Sequence, residues 1–401
     1  MIYKILNSNA AYIKFIIIFL LYVFNSYSNP VLIIIGTRPE AIKVFPICIE
    51  LKKQNIPFIL CSTGQHGDLL TPLYDVFGIK PDIDLNIMKP NQDLFYITTQ
   101  VLTELKKVIT TVNPSLVMVQ GDTTTAMAAA LAAFYLQKPI AHIEAGLRTN
   151  DIYNPFPEEI NRRFISQIAS YHFAPTQNAV DNLIKENMHE NIYRTGNTVV
   201  DALNIILNKI ALNELTINQQ IIDLVQQTKA CNKQIVIITA HRRENVEHRL
   251  YHIFNALHQI CLEFDQVQFI YPMHPNPKIK SIALNCQLFE LKNMVITSAL
   301  SYQEMVYLLS HCDLVITDSG GLQEEAISLE KPVVILRKKT ERYEAIECGL
   351  GFLGGTKFNT IYSAFLKAFS KSKKDFNTLH VYGDGFASER IIKKIKKDFF
   401  S

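Results

Sequence analysis

The sequence has little that would tie the chain to a polyanion, an oxidising compartment or a membrane. Lys and Arg total 40 against 37 Asp and Glu, a near balance that offers nucleic acid no basic field to follow. Seven cysteines, at 48, 61, 231, 261, 286, 312 and 348, are odd in number and lack paired metal-ligand spacing. They read as reduced thiols of a cytoplasmic protein, several buried as small apolar residues, and no metal is expected. The apolar run Phe15–Phe24 is only ten residues long, short of the ~20 that span a bilayer and nearer to a signal-peptide core. No small-x-small cleavage site follows it, and the first strand begins almost at once, at Val31. A membrane-proximal anchor, a signal sequence and an upstream extension ahead of the true start compete for residues 1–29. The extension fits best beside a cytoplasmic remainder, and membrane contact is expected through residues 1–29 alone.

What the chain does have is length and alternation. With 401 residues it exceeds one ordinary core and implies two domains. Apolar strands are expected at Pro30–Ile35, Phe58–Ser62, Ser115–Gln120, Pro139–Ala145, His172–Pro175 and Asn191–Thr195, with helices between them. A polar, Asn- and Gln-rich stretch over residues 209–233 reads as a linker. A second alternation follows, with strands at Gln234–Ile238, Val267–Tyr271, Met294–Thr297, Leu314–Thr317 and Pro332–Leu336. The fold class is therefore α/β, with two Rossmann-like doubly wound domains facing a cleft. Residues 30–208 form the first, residues 234–385 the second, and residues 386–401 a closing helix.

Chemistry concentrates at strand ends, which in such sheets face the ligand. Glu144 sits where Pro139–Ala145 opens at Gly146, and Asp122 ends the preceding strand. Glu158 and Glu159 follow Pro157 at the positive end of a helix, four residues before Arg162 and Arg163. In an isolated helix these would be surface ion pairs; the carboxylates just upstream argue for a site instead. Gly36-Thr-Arg-Pro-Glu40 is a strand-to-helix turn whose N–H groups attract anions, with Arg38 and Lys43 beside it.

In the second half, Ser319, Gly320 and Gly321 open a helix directly after a strand and can present N–H groups to a diphosphate, with Glu325 one turn further in. An N-capped helix with a tight glycine turn explains the same residues equally well. The spacing is wrong for a Walker loop and only loosely like the dinucleotide fingerprint, so ATP and NAD are not supported. His241, in His241-Arg-Arg-Glu-Asn245, places an imidazole and two cations at another strand end, and Arg342 lies beyond the Pro332–Leu336 strand. His248, His252 and His258 read as surface histidines of one helix. A phosphate-holding half opposite a carboxylate-rich half suggests a nucleotide-linked substrate.

Seven ordered motifs, Gly36-Thr-Arg-Pro-Glu-Ala-Ile-Lys43, Thr63-Gly-Gln-His66, Gly121-Asp-Thr-Thr-Thr125, His142-Ile-Glu-Ala-Gly-Leu-Arg148, Pro157-Glu-Glu-Ile-Asn-Arg162, His241-Arg-Arg-Glu-Asn245 and Asp318-Ser-Gly-Gly-Leu-Gln-Glu-Glu325, together resemble the bacterial non-hydrolysing UDP-N-acetylglucosamine 2-epimerases. The resemblance runs from about Val31 to the carboxyl end. It implies a GT-B fold and reversible conversion of UDP-GlcNAc to UDP-ManNAc without cofactor, by loss and re-addition of UDP through 2-acetamidoglucal, supplying cell-surface polysaccharide precursors. It also implies a homodimer. Carried over by motif, Asp122, Glu144 and Glu158 form the acid/base set positioned by Arg162, and His241 assists UDP departure. Arg38, Lys43 and Arg342 bind charge, Ser319, Gly320 and Gly321 hold phosphate, and Glu325 binds ribose.

Three places depart from the family pattern. Tyr343 replaces a usual Pro and precedes the glycine-rich stretch Gly349–Gly355; Gly67 stands where Arg is frequent; Met273-His-Pro275 replaces a common His-Leu. None removes a proposed carboxylate, although substrate preference and an allosteric site near Gln65–Gly67 depend on such positions. Rival readings are a 2-epimerase of a 2,3-diacetamido uronate, a hydrolysing 2-epimerase, a GT-B glycosyltransferase and a non-catalytic UDP-sugar-binding regulator.

Overall fold

A computed structural model describes residues 29–65, 67–89, 92–241, 248–371 and 380–401. The first lobe begins with β1 (Val31–Ile35), α1 (Arg38–Lys53), β2 (Phe58–Ser62), α2 (Gly67–Phe77), β3 (Ile83–Asp84) and α3 (Leu94–Val112). It continues with β4 (Leu116–Gln120), α4 (Thr124–Tyr135), β5 (Ile140–Ile143), α5 (Glu158–Ile168), β6 (Tyr171–Ala174), α6 (Gln177–Lys185), β7 (Ile192–Arg194) and α7 (Thr198–Ala211). The second lobe carries α8 (Gln219–Ala230), β8 (Gln234–Thr239), α9 (His248–Glu263), β9 (Val267–Pro272), α10 (Pro277–Asn285), β10 (Met294–Thr297), α11 (Tyr302–His311), β11 (Leu314–Thr317) and α12 (Gly320–Ser328). After these come β12 (Val333–Ile335), α13 (Tyr343–Glu347), β13 (Gly351–Leu353), α14 (Phe358–Phe369) and the terminal α15 (Ala387–Phe399).

The strands read as unbroken apolar runs because both faces of each sheet are covered. In β1, β4 and β11 every residue is buried, the pattern of parallel strands packed between helical layers. The seven-stranded sheet runs β3-β2-β1-β4-β5-β6-β7 and the six-stranded sheet β10-β9-β8-β11-β12-β13, with every pairing parallel. Strand order reverses between β1 and β4 in one sheet and between β8 and β11 in the other. These switch points open crevices at the carboxyl ends of the strands.

Two differences from the sequence expectation concern the join. The polar stretch 209–233 holds a helix, α8, whose Val225 packs with Ile235 and Leu309 in the second lobe's core. Its apolar stripe is thin, which hides the periodicity. The terminal helix α15 returns to the first lobe, where Ile391, Ile392 and Ile395 join Phe45 and Ile47 of α1 in one cluster. The lobes also share apolar contacts directly: the Tyr302 ring stacks on Phe77 with centroids 6.0 Å apart, and Val199 and Val200 of α7 pack into the second lobe. The Gly349–Gly355 stretch forms the edge strand β13, and a Cβ at Gly351 would come within 2.7 Å of the Ala345 backbone. Glycine there lets α13 lie against the strand. None of the helices among the described residues is long and apolar enough to cross a membrane; residues 1–28, with the Phe15–Phe24 run, lie outside them.

Candidate active site

Both switch points carry expected site residues, and the two crevices face each other. From the first lobe come the turns after β1 and β4; from the second come those after β8 and β11, bearing His241 and Asp318–Gly321.

The β1 turn differs from expectation. Its N–H groups are already taken by an internal carboxylate: Glu40 Oε2 accepts from Gly36 N at 3.0 Å and Thr37 N at 2.6 Å, and Oε1 accepts from Thr123 Oγ1 at 2.6 Å. Those two N–H donors are therefore closed to a second anion. Burial raises the Glu40 pKa against those hydrogen bonds. The turn instead holds the β4 loop in place, since Thr123 also caps α4 by accepting from Ala126 N at 3.0 Å.

Glu144 leaves β5 with φ of 66°, the left-handed region that non-glycine residues seldom occupy outside over-determined sites. The bend places its carboxylate at the centre of the lobe interface. Lys43 Nζ lies 2.5 Å from Oε1 and Asn197 Nδ2 donates to the same oxygen at 3.1 Å, while Gln120 Nε2 donates to Oε2. Burial alone would raise its pKa; Lys43 and then Arg342 outweigh burial and hold it down at about 2. The carboxylate flanks Gly121, whose Cβ position would be 3.7 Å from Glu144 Oε2. Asp122 is the next residue, so the two acids share one corner. His142 fixes that corner by hydrogen-bonding through Nε2 to the Gly121 carbonyl at 2.8 Å. Burial lowers the His142 pKa to about 3, so the ring is neutral and the Nε2–H donates.

Arg162 Nε donates to Asp122 Oδ2 at 3.0 Å, and its Nη2 reaches the same oxygen. Its Nη1 lies 3.1 Å from Glu159 Oε2. Arg162 and Glu159 are thus no surface pair: Arg162 is buried and Glu159 is 0% exposed, also accepting from Thr149 N at 3.0 Å and Asn150 N at 3.2 Å. Glu158, the half-buried neighbour in the first turn of α5, lies at the helix's positive end.

In the second lobe, Ser319 precedes α12 and Gly320 begins it. A Cβ at Gly320 would strike the Arg342 guanidinium at 2.6 Å, whereas one at Gly321 would meet nothing within 4 Å. The helix start therefore opens to the cleft at Gly321 and is flanked by a cation at Gly320, an arrangement that suits an anion. Arg342 Nε lies 2.7 Å from Glu324 Oε1, and its Nη1 pairs with Glu341. Glu325 accepts from the Tyr302 hydroxyl at 2.9 Å, and burial pushes its pKa up to about 7. Arg38, from the opposite lobe, sits in the field of Glu325 and Tyr302; burial lowers its pKa and those two partly offset the effect. His241 N donates to Asp318 Oδ2 at 2.9 Å, and the His241 ring stacks on His274 at 5.5 Å between centroids. Its imidazole is 38% exposed, at the cleft surface.

Residues 242–247, with the two arginines after His241, and His66 of the Thr63–His66 motif lie outside the described residues. Gly67 is the first residue of α2, and Tyr343, at the position of the family's usual Pro, begins α13. His252 on α9 is exposed. The cysteines are free thiols, five of them buried. Sequence reading missed Glu324, Glu341, Asn197, Gln120 and Glu40. Glu324, Asn197 and Gln120 act through partners distant in the chain, Glu40 through a turn backbone and Glu341 through its near neighbours Arg337 and Arg342; Glu40 and Glu324, both inside named motifs, carried a local signal.

The model for UDP-N-acetylglucosamine 2-epimerase matches residues 49–396. A UDP-N-acetylglucosamine 2-epimerase of Campylobacter jejuni is 42% identical over 377 residues, covering 92% of this chain and 97% of the relative. The crystal structure of UDP-GlcNAc 2-epimerase from Neisseria meningitidis, bound to UDP-GlcNAc, superposes with a TM-score of 0.85 at 40% identity over 92% of this chain and 100% of that one. That of Methanocaldococcus jannaschii, in complex with UDP-GlcNAc and UDP, gives 0.81 at 34% identity over 92% and 99%. With a family match across most of its length and relatives of this identity, the chain belongs to the UDP-N-acetylglucosamine 2-epimerase family.

Proposed function

We propose that the protein interconverts UDP-GlcNAc and UDP-ManNAc. The observation that carries this reading is the meeting of unlike halves: Glu144, beside Asp122, shares Lys43 and Arg342 with the helix that opens at Ser319. A sugar whose diphosphate lies at Ser319, Gly320 and Gly321 presents its C1 and C2 to the acids of the first lobe. One carboxylate takes the C2 proton as the C1–O bond breaks, giving the C1=C2 double bond of 2-acetamidoglucal and free UDP. Rotation of that intermediate in the cleft, re-addition of the UDP oxygen to C1 and return of a proton to the other face of C2 complete the cycle. Glu144, ionised at the meeting of the two lobes, is placed for proton removal; Asp122 and Glu158 supply the remaining acid/base steps, with Arg162 positioning Asp122. Arg38, Lys43, Arg342 and His241 stabilise charge on the departing diphosphate, and Glu325 binds ribose.

The setting that accompanies this reading is cytoplasmic supply of cell-surface polysaccharide precursors by a homodimer. Phe95, Phe134 and Tyr135, exposed at 83%, 52% and 69% on α3 and α4, offer apolar surface for a second copy to cover; sedimentation equilibrium at a monomer mass would remove that expectation. Purified protein incubated with UDP-GlcNAc and followed by anomeric NMR signals tests the activity. UDP-ManNAc is expected. Free ManNAc would indicate a hydrolysing enzyme, and an unchanged spectrum would contradict the proposal.

A further inference from the structure

Lys43, Glu144, Glu324 and Arg342 form a closed ring of alternating charge, two members from each lobe. Lys43 Nζ lies 2.5 Å from Glu144 Oε1 and 3.1 Å from Glu324 Oε2; Arg342 Nε lies 2.7 Å from Glu324 Oε1, and its Nη2 is 3.7 Å from Glu144 Oε1. Each side chain is at most 7% exposed. Buried ion pairs recover little more than their own desolvation, so a ring of four is weak as a stabilising device and calls for another role. Its members fit one. Arg342 lies beside the turn at Gly320, where its guanidinium is already in contact range, and Lys43 joins it through the shared partner Glu324. Arg342 has a separate anchor in Glu341, which Arg337 Nη1 holds at 2.9 Å, so it keeps one partner if it releases the others.

We propose that Glu324 is a positioning residue standing in for the substrate's diphosphate: it holds Lys43 and Arg342 in the ring until a nucleoside diphosphate takes both cations. The exchange leaves Glu144 without its two cationic neighbours at the moment a sugar lies beside it. A carboxylate clamped between a lysine and an arginine is a poor proton acceptor, and one that has surrendered them is a better one. Substrate arrival thus activates its own base. The inference rests on the reading of the cleft as a UDP-sugar site.

Calorimetric titration of UDP into the full-length protein tests it without requiring turnover. In Glu324→Gln the cations lose a competitor, so UDP binds roughly tenfold more tightly than to wild type, with a steeper loss of affinity in salt. In the epimerase assay the same variant lowers KM and kcat together, because a ring without Glu324 no longer sets the cations for exchange. Glu324→Asp, which keeps the charge, returns both parameters toward wild type. Unchanged or weaker UDP binding by a Glu324→Gln variant with the wild-type melting temperature overturns the proposal. Should that variant fail to fold, Glu324→Asp carries the test: its shorter reach loosens the hold, so UDP binds more tightly than to wild type by a smaller factor, and equal or weaker binding overturns it. Wild type that binds UDP but never forms UDP-ManNAc contradicts the epimerase reading while leaving the exchange measurable; wild type that does not bind UDP overturns both.

Discussion

Two glutamates of the site are driven in opposite directions by their surroundings. Glu144 is held down by Lys43 and Arg342 against the effect of burial, whereas Glu325, for which burial dominates, is raised from the ordinary 4.5 to about 7. The sign for Glu325 follows from linkage: a carboxyl with a raised folded pKa binds more protons folded than unfolded. Its contribution is full below 4.5 and is lost as pH rises through about 7. Glu325→Gln, which keeps the Tyr302 contact and cannot ionise, should gain on wild type by about 3 kcal/mol as pH climbs across that window. Denaturant midpoints for the two proteins at pH 5 and pH 8 measure it, and a constant difference would contradict the assignment. Single residues were also where reading from sequence was most uneven. Asp122 and Glu144 could be picked because strand ends face ligands, and Lys43 because it follows a turn. Asn197 could not, since its amide reaches Glu144 across 53 positions while its Oδ1 caps α7. Arg162 and Arg163 clamp Glu159, and the doublet Glu158-Glu159 carries no local sign of which member is the more buried.

At the level of elements, periodicity and punctuation served well where a strand or helix is apolar on a wide face, as in β1, β4 and the alanine-rich α4. They failed for α8, where only Ile221, Val225 and Thr228 are buried. They also gave no sign that α15 would leave the second lobe, because an amphipathic helix does not encode its partner. The clearest local requirement is Gly146, two residues after Glu144. Its φ is +93°, and a Cβ there would lie 2.1 Å from the Ala179 carbonyl oxygen. That oxygen belongs to α6 backbone and has little freedom to move. Gly146→Ala should therefore cost about 3 kcal/mol or more in unfolding free energy and, by displacing the bend that aims Glu144, reduce turnover further than stability alone explains. Urea denaturation beside kcat separates the two effects; a variant with wild-type stability would contradict the close packing of the β5 turn on α6.

For the whole molecule, two doubly wound sheets were legible because each has a near-continuous apolar signature and a glycine-bearing turn at its switch point. The way the lobes meet was not legible. It depends on Tyr302 stacking over Phe77, on Val199 and Val200 entering the second core, and on a charge ring whose members are spread from position 43 to position 342. Those contacts bring first-lobe acids to the turn that opens α12, and the proposed chemistry depends on that meeting. Proton exchange at one carbon tests it most directly. In heavy water with UDP-GlcNAc, wild type should place deuterium at C2 of both UDP-GlcNAc and UDP-ManNAc, and Glu144→Gln should suppress the exchange at least a hundredfold, of the order expected for loss of a general base. UDP-ManNAc formed with C2 still carrying its original hydrogen, or undiminished exchange in Glu144→Gln, would contradict the account.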